Sequence, residues 1–206
     1  MEALPSLDRA TEYFDRQASG YLAASDRLPW RWLRNSESAA VLGVTGPLAG
    51  VEVLEFGAGA GYYTRALLAR GAAHVWAVDR SPEMLQQLGA ARVTPVLGDV
   101  TGVRVPHTFD AIVAAGVFEF VSSAYEVLLN AARHARAGAW LVVCYARPSV
   151  WGAGYRTFHR RHGLDIHLYR REQFDAAAES AGWRAESWRR CGLFCIAARY
   201  RLTAGA

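Results

Sequence analysis

The stretch LEFGAGAGYYT, residues 54–64, decides the fold. An apolar run carries an acid, Glu55, near its end, and glycines then stand at alternate positions 57, 59 and 61. Glycine accepts positive φ at no steric cost and lacks the Cβ that would hold a ligand away from the main chain. Three alternating glycines directly after a strand are more than a plain turn needs. They mark a place where backbone comes close to a bound molecule.

Outward from this point the chain falls into a regular alternation. VEVLEF (51–56) reads as a strand and GYYTRALLARG (61–71) as a helix that stops at Gly71. HVWAVD (74–79) is a second strand. Ser81 and Pro82 suit the N-cap and first position of a helix reaching about Ala91. VTPVLGD (93–99), FDAIVAAG (109–116) and AWLVVCYA (139–146) read as three more strands. Between the last two, residues 122–136 place Tyr125, Leu128, Leu129 and Ala132 on one helical face. A helix over 172–182 and two strands flanking Cys191-Gly192 close the chain as an antiparallel hairpin.

Strands alternating with helices predict an α/β, Rossmann-like, doubly wound sheet of seven strands. It is mostly parallel with a C-terminal antiparallel hairpin, and helices cover both faces. Two segments interrupt the rhythm: a helix over 8–24 with a Trp- and Arg-rich stretch after it (28–43), and 147–171, which reads as a loop. The expected organisation is one domain over 1–206, with a helical lid at 1–45 and an acceptor-side insertion at 147–170. In such sheets ligands sit at the carboxyl ends of the strands, where the glycines lie.

Composition bounds the chemistry. The 206 residues are 52% hydrophobic and 20% charged, a globular balance with a net charge of +4. All 23 basic residues are Arg, which excludes Schiff-base and P-loop lysines and, with the abundant Ala and Gly, points to a GC-rich bacterial genome. Three cysteines without paired spacing give neither a disulfide framework nor a zinc site, so no metal is expected. The N-terminus lacks a basic-then-apolar leader, and no apolar run reaches the ~20 residues of a membrane helix. The expectation is a cytoplasmic protein without a membrane partner.

Two cofactors compete for the glycines. The dinucleotide fingerprint G-x-G-x-x-G would put its third glycine at Tyr62, which is bulky. E-x-G-x-G-x-G fits every position of EFGAGAG, and in this the chain resembles the class I S-adenosylmethionine-dependent methyltransferases. Further stretches resemble that family in order: VWAVDRSPEML (75–85), VLGDV (96–100), FDAIVAAGVFEFV (109–121), HARAGAWLVV (134–143) and the N-terminal FDRQASGY (14–21). The resemblance covers about residues 12–200.

The resemblance implies that S-adenosylmethionine, leaving as S-adenosylhomocysteine, is held by Tyr21, Glu55, Gly57, Ala58, Gly59, Gly61, Asp79, Arg80, Met84, Gly98, Asp99, Val100, Ala115 and Gly116. In that scheme Asp79 accepts from the ribose hydroxyls, Asp99 from the adenine amino group, and Ala115 to Val117 face the methionine part. Methyl transfer is an in-line displacement that needs alignment and a dry site more than a catalytic triad. A hydroxyl acceptor benefits from a general base, for which His159, His167 and Glu119 are the candidates. Many relatives read Leu-Glu-His after the fourth strand; here Phe118, Glu119 and Phe120 stand there, which removes one family base.

The expected acceptor is a small molecule, aromatic or anionic, methylated on oxygen or nitrogen. Nucleic acid is not expected, because the arginines are dispersed and no Asn/Asp-Pro-Pro-Tyr/Phe motif follows the fourth strand. Monomer and homodimer both stay open. So do two other functions on this scaffold: a cofactor-binding homologue with a non-methylating reaction, and a non-catalytic interaction subunit.

Overall fold

The computed structural model of the chain describes residues 6–25, 30–89 and 91–203, with side chains from Arg9 onward except those of 21–30. Seven strands, β1 (Glu52–Phe56), β2 (His74–Asp79), β3 (Val93–Leu97), β4 (Phe109–Ala115), β5 (Ala135–Ala146), β6 (Trp183–Cys191) and β7 (Cys195–Leu202), form one sheet. Their order is β3-β2-β1-β4-β5-β7-β6. The first five are parallel, and β7 runs antiparallel between β5 and β6. The expected mixed sheet with its closing hairpin is therefore present.

The helices are α1 (Ser6–Ser25), α2 (Trp30–Val44), α3 (Tyr62–Ala69), α4 (Pro82–Leu85), α5 (Ala124–Arg133), α6 (Val150–Arg161) and α7 (Arg171–Ser180). Strand alternation sends Leu54, Phe56, Ile112, Leu141, Val143 and Tyr145 to one face, where α5 and α7 cover them with Val127, Leu128 and Phe174. Val53, Val75, Val113, Trp140 and Val142 go to the other, under α2 and α3 with Val41, Val44, Tyr63 and Leu67. Strands buried on both faces explain the near-continuous apolar runs of the sequence.

Five local readings change. The segment expected as a loop over 147–171 contains α6, capped by Ser149, whose Oγ accepts from Gly152 N at 2.9 Å. Half-exposed and interrupted by Gly152 and Gly154, it shows no apolar period to read. The helix expected to reach Ala91 is the single capped turn α4. Strand β5 begins at Ala135, inside the expected helix, because α5 ends at Arg133. The buried stripe of α5 is Ala124, Val127, Leu128 and Ala131; Tyr125 is 42% exposed. Trp183 fixes that face, burying its ring and donating its indole N–H to Leu128 O at 2.9 Å. The Trp- and Arg-rich stretch is α2, whose Val41 and Val44 belong to the core, so this part of 1–45 is scaffold as well as cover.

Trp183→Phe keeps an aromatic ring but loses the indole N–H and some volume. It is expected to destabilise the chain by about 2 kcal/mol in urea unfolding. An unchanged midpoint would remove Trp183 from the role of fixing α5.

Candidate functional site

The strand order reverses between β1 and β4, and a crevice at the carboxyl ends of the strands is expected at that point. A cavity of about 350 Å³ lies there. Its floor is Gly57, Ala58 and Gly59 after β1, Asp79, Arg80 and Ser81 after β2, and Ala115 and Gly116 at the end of β4. Helices α1, α2 and α6, the start of β7, the turn after β4 and residues of α3, α4 and β5 wall most of the rest.

The glycine loop is clamped onto β2. Gly57 N and Ala58 N both donate to Val78 O, at 2.9 and 3.0 Å. Gly59 N donates to Asp79 Oδ2 at 2.7 Å. The other carboxylate oxygen accepts from Ser81 N at 2.9 Å. Gly59 has φ +52°, and a Cβ added to it would meet no atom within 4 Å. The bare backbone therefore faces open cavity, as a cradle for a ligand does. Gly57 serves a different end: its Cβ would lie 2.9 Å from Val117, so it permits close packing of β1 against the end of β4. Gly61, at φ +84°, is the N-cap of α3.

The expected cofactor residues divide. Gly57, Ala58, Gly59, Asp79, Arg80, Met84, Val100, Ala115 and Gly116 line the cavity. Glu55 lies behind the loop, buried, and accepts from Thr64 Oγ1 at 2.6 Å; burial pushes its carboxyl up to about 8. It is a brace between β1 and α3, not a wall of the cavity. Gly61 and Gly98 also stand off it, and a Cβ at Gly98 would strike Val103. Asp99 is turned into its own loop: Oδ1 accepts from Thr101 N and Thr101 Oγ1, and Oδ2 lies 3.6 Å from Arg80 Nε. Such a side-chain turn is what Asp commonly makes after a strand. Tyr21 belongs to α1, but its side chain is outside the described residues.

The three candidate bases also separate. His167 is exposed and touches a small surface depression instead of the cavity; its backbone N donates to Glu119 O. His159 and Glu119 both line the cavity and are 5% and 3% exposed. His159 is surrounded by the rings of Tyr13, Phe120, Tyr155 and Phe158, and its Nδ1 has no protein partner. Burial lowers its pKa to about 4, so it is neutral at physiological pH. Glu119 Oε1 accepts from Ala146 N at 2.5 Å, while Oε2 has no partner. Burial raises its carboxyl to about 7.

Sequence reading passed over several wall residues. Glu37 of α2 contacts Cys195 Sγ at 3.3 Å, and burial raises its pKa. Ser81 Oγ donates to Asp15 and accepts from Met84 N at 3.0 Å, tying α1 to the end of β2. An acid inside an apolar helix face was the available signal for Glu37. For Asp15 the signal was its place in FDRQASGY, the stretch that resembles the family's N-terminal motif. Among the described residues no three His, Cys, Asp or Glu side chains form a metal site.

Residues 54–143 match the family described as a methyltransferase domain. A curated demethylmenaquinone methyltransferase of Tropheryma whipplei (strain Twist) is 34% identical over 161 residues. These cover 73% of this chain and 65% of the relative, so the chain spans about two thirds of that protein's length. The solved magnesium protoporphyrin IX methyltransferase of Synechocystis PCC 6803 with bound S-adenosylmethionine aligns with a TM-score of 0.75 at 15% identity, over 98% of this chain and 100% of that one. A structure from Thermotoga maritima, titled a possible histamine N-methyltransferase, gives 0.76 at 18% identity over 94% and 99%. The central part of the chain thus matches a methyltransferase domain, and the whole chain shares the fold of these solved methyltransferases, with the seven strands in the order β3-β2-β1-β4-β5-β7-β6.

Glu119 gives a pH test. Its carboxyl titrates at 4.5 ordinarily and at about 7 in the fold. Stability held by the protonated form is therefore complete below pH ~4.5 and is lost as pH rises through about 7. The loss at full ionisation is on the order of 3 kcal/mol. Glu119→Gln keeps an acceptor for Ala146 N and cannot ionise. Its unfolding free energy is expected to fall less than the parent's between about pH 5 and 8. Parallel curves for the two proteins would contradict the burial argument.

Proposed function

We propose that the chain is an S-adenosylmethionine-dependent methyltransferase acting on an oxygen or nitrogen of a small molecule. The observation that carries this reading is the Gly59 cradle, bare backbone facing open cavity and held by the carboxylate of Asp79 at the end of β2. Gly57 to Gly59, Asp79, Met84, Val100, Ala115 and Gly116 would hold the cofactor. When bound, it supplies a methyl group on a sulfonium, which is electrophilic without further activation.

The chain's own residues have three tasks. Asp79 offers a carboxylate to ribose hydroxyls, in charge-assisted hydrogen bonds. Tyr13, Phe14, Phe120, Tyr155 and Phe158 exclude water and present ring faces to a flat acceptor. His159, neutral, and Glu119, near pH 7 in its titration, are the groups placed to take a proton from an acceptor hydroxyl or ammonium. The aromatic lining supports the small-molecule acceptor, and the relatives named for quinone and porphyrin substrates agree with it. Cys144, Cys191 and Cys195 are free thiols although Cys144 Sγ and Cys191 Sγ lie 3.8 Å apart, as suits the reducing cytoplasm.

Calorimetric titration with S-adenosylhomocysteine tests the reading. The parent is expected to bind at micromolar concentration. Asp79→Ala should weaken binding tenfold or more, through loss of the ribose contacts and of the acceptor for Gly59 N. Gly59→Val should abolish binding while the far-ultraviolet circular dichroism stays that of the parent. Undiminished binding by either variant, or none by the folded parent, sinks the assignment. Labelled-methyl transfer to a panel of aromatic amines and phenols then separates nitrogen from oxygen acceptors.

A further inference from the structure

Helix α6 has two faces of different character. Gly152, Tyr155 and His159, at the spacing of one helical stripe, turn inward, and Tyr155 and His159 wall the cavity. Most of the remaining circumference faces solvent, although Phe158, at its margin, also touches the cavity. Val150 is 87% exposed, Trp151 60% and Phe158 39%, with Ala153 and Gly154 exposed between them. Trp151 and Phe158 stand two turns apart on the same stripe. A soluble surface does not ordinarily collect a Val, a Trp and a Phe on one short helix.

The charge on this helix is one-sided. VWGAGYRTFHRR contains Arg156, Arg160 and Arg161 and no acid. All three arginines are exposed. Arg160 has an acidic neighbour, Asp165 at 3.6 Å, itself an exposed pair of little energetic weight. Arg156 and Arg161 have no acidic partner among the described residues. Aromatic and aliphatic side chains interleaved with arginine, on a helix that lies along the surface, have the composition of an interfacial helix. Each Arg near an anionic surface adds attraction that salt screens away.

We propose that the outer face of α6 docks the protein on an anionic lipid surface. Val150 and Trp151 enter the headgroup layer, and Arg156, Arg160 and Arg161 meet lipid phosphates. Because the inner face of the same helix walls the cavity, docking sets the acceptor side of the site against the membrane, from which an apolar acceptor can enter. The surface stands independently of the methyl-transfer reading. Docking is peripheral: no described helix is long and apolar enough to cross a membrane.

Co-sedimentation with vesicles tests this directly. The parent is expected to pellet with phosphatidylglycerol–phosphatidylcholine vesicles and to stay in solution with phosphatidylcholine alone. Raising salt from about 0.1 to about 1 M shortens the Debye length from about 10 to about 3 Å and should release most of the protein. The triple variant Arg156→Glu, Arg160→Glu, Arg161→Glu should lose at least tenfold in bound fraction. Val150→Ser with Trp151→Ser should lose as much at low salt, with the parent's melting temperature, since both side chains are exposed. The proposal is overturned if the parent fails to pellet with anionic vesicles. It is also overturned if both variants pellet like the parent, or if duplex RNA displaces the parent from the vesicles.

Discussion

The site depends on the clamp between the glycine loop and the end of β2. Three consecutive backbone N–H groups, of Gly57, Ala58 and Gly59, leave β1 and find acceptors on Val78 and Asp79. Backbone polar groups at a strand end must be satisfied somewhere. Here their partners belong to the neighbouring strand, so the loop cannot move unless β1 and β2 separate. Those strands pair in parallel over five residues in the middle of the sheet. The loop thus inherits the rigidity of the core, and Gly59 can present bare backbone to the cavity without the loop collapsing into it.

Behind and beside this loop the fold buries carboxyl groups that cost stability at neutral pH. Glu55 joins β1 to α3 through Thr64, and Glu119 joins the turn after β4 to the end of β5 through Ala146 N. Both are pushed up by burial, to about 8 and about 7. A hydrophobic replacement would pack with less penalty, and buried ionisable groups without a cation are retained where they serve a site. Their roles differ. Glu55 is held by Thr64 and has no cavity surface. Glu119 has an unpartnered oxygen on a residue that lines the cavity, which is the distinction between a brace and a group left open for a ligand.

What the sequence made legible followed from periodicity and from glycine. The strand runs, the glycine loop, Asp79 at the end of β2 and the closing hairpin all appear where the residues put them. The failures have physical reasons. On α5 two stripes of similar apolarity lie side by side, Tyr125-Leu128-Leu129-Ala132 and Ala124-Val127-Leu128-Ala131. Contacts distant in sequence choose between them: the indole of Trp183 on Leu128 O, and Asn130 Nδ2 donating to Val100 O and Val103 O. Asp99 sits in a stretch that resembles a family motif, yet Thr101 two residues later competes for its carboxylate and turns it into the loop. A motif specifies where the backbone goes; a hydroxyl nearby can redirect the side chain. His159 and His167 were equivalent in sequence, and the helix that separates them could not be read through Gly152 and Gly154.

The end of the cavity away from the glycine loop is the part that no local reading could assemble. Its walls include α1 and α2 on one side and α6 and the start of β7 on the other, more than a hundred residues further along the chain. Two contacts join α2 to the closing hairpin: Gly192 N donates to Ser36 Oγ at 2.9 Å, and Cys195 Sγ reaches Glu37 at 3.3 Å. The hairpin at the far edge of the sheet therefore positions α2, and α2 carries Leu33, Arg34 and Glu37 into the cavity. The cradle under the glycine loop is built by neighbouring strands and can be read from a motif. The opposite wall is built by long-range packing around the closing hairpin, so side chains there can change without disturbing the clamp at the other end of the cavity. That division lets one scaffold keep its cofactor while its acceptor varies.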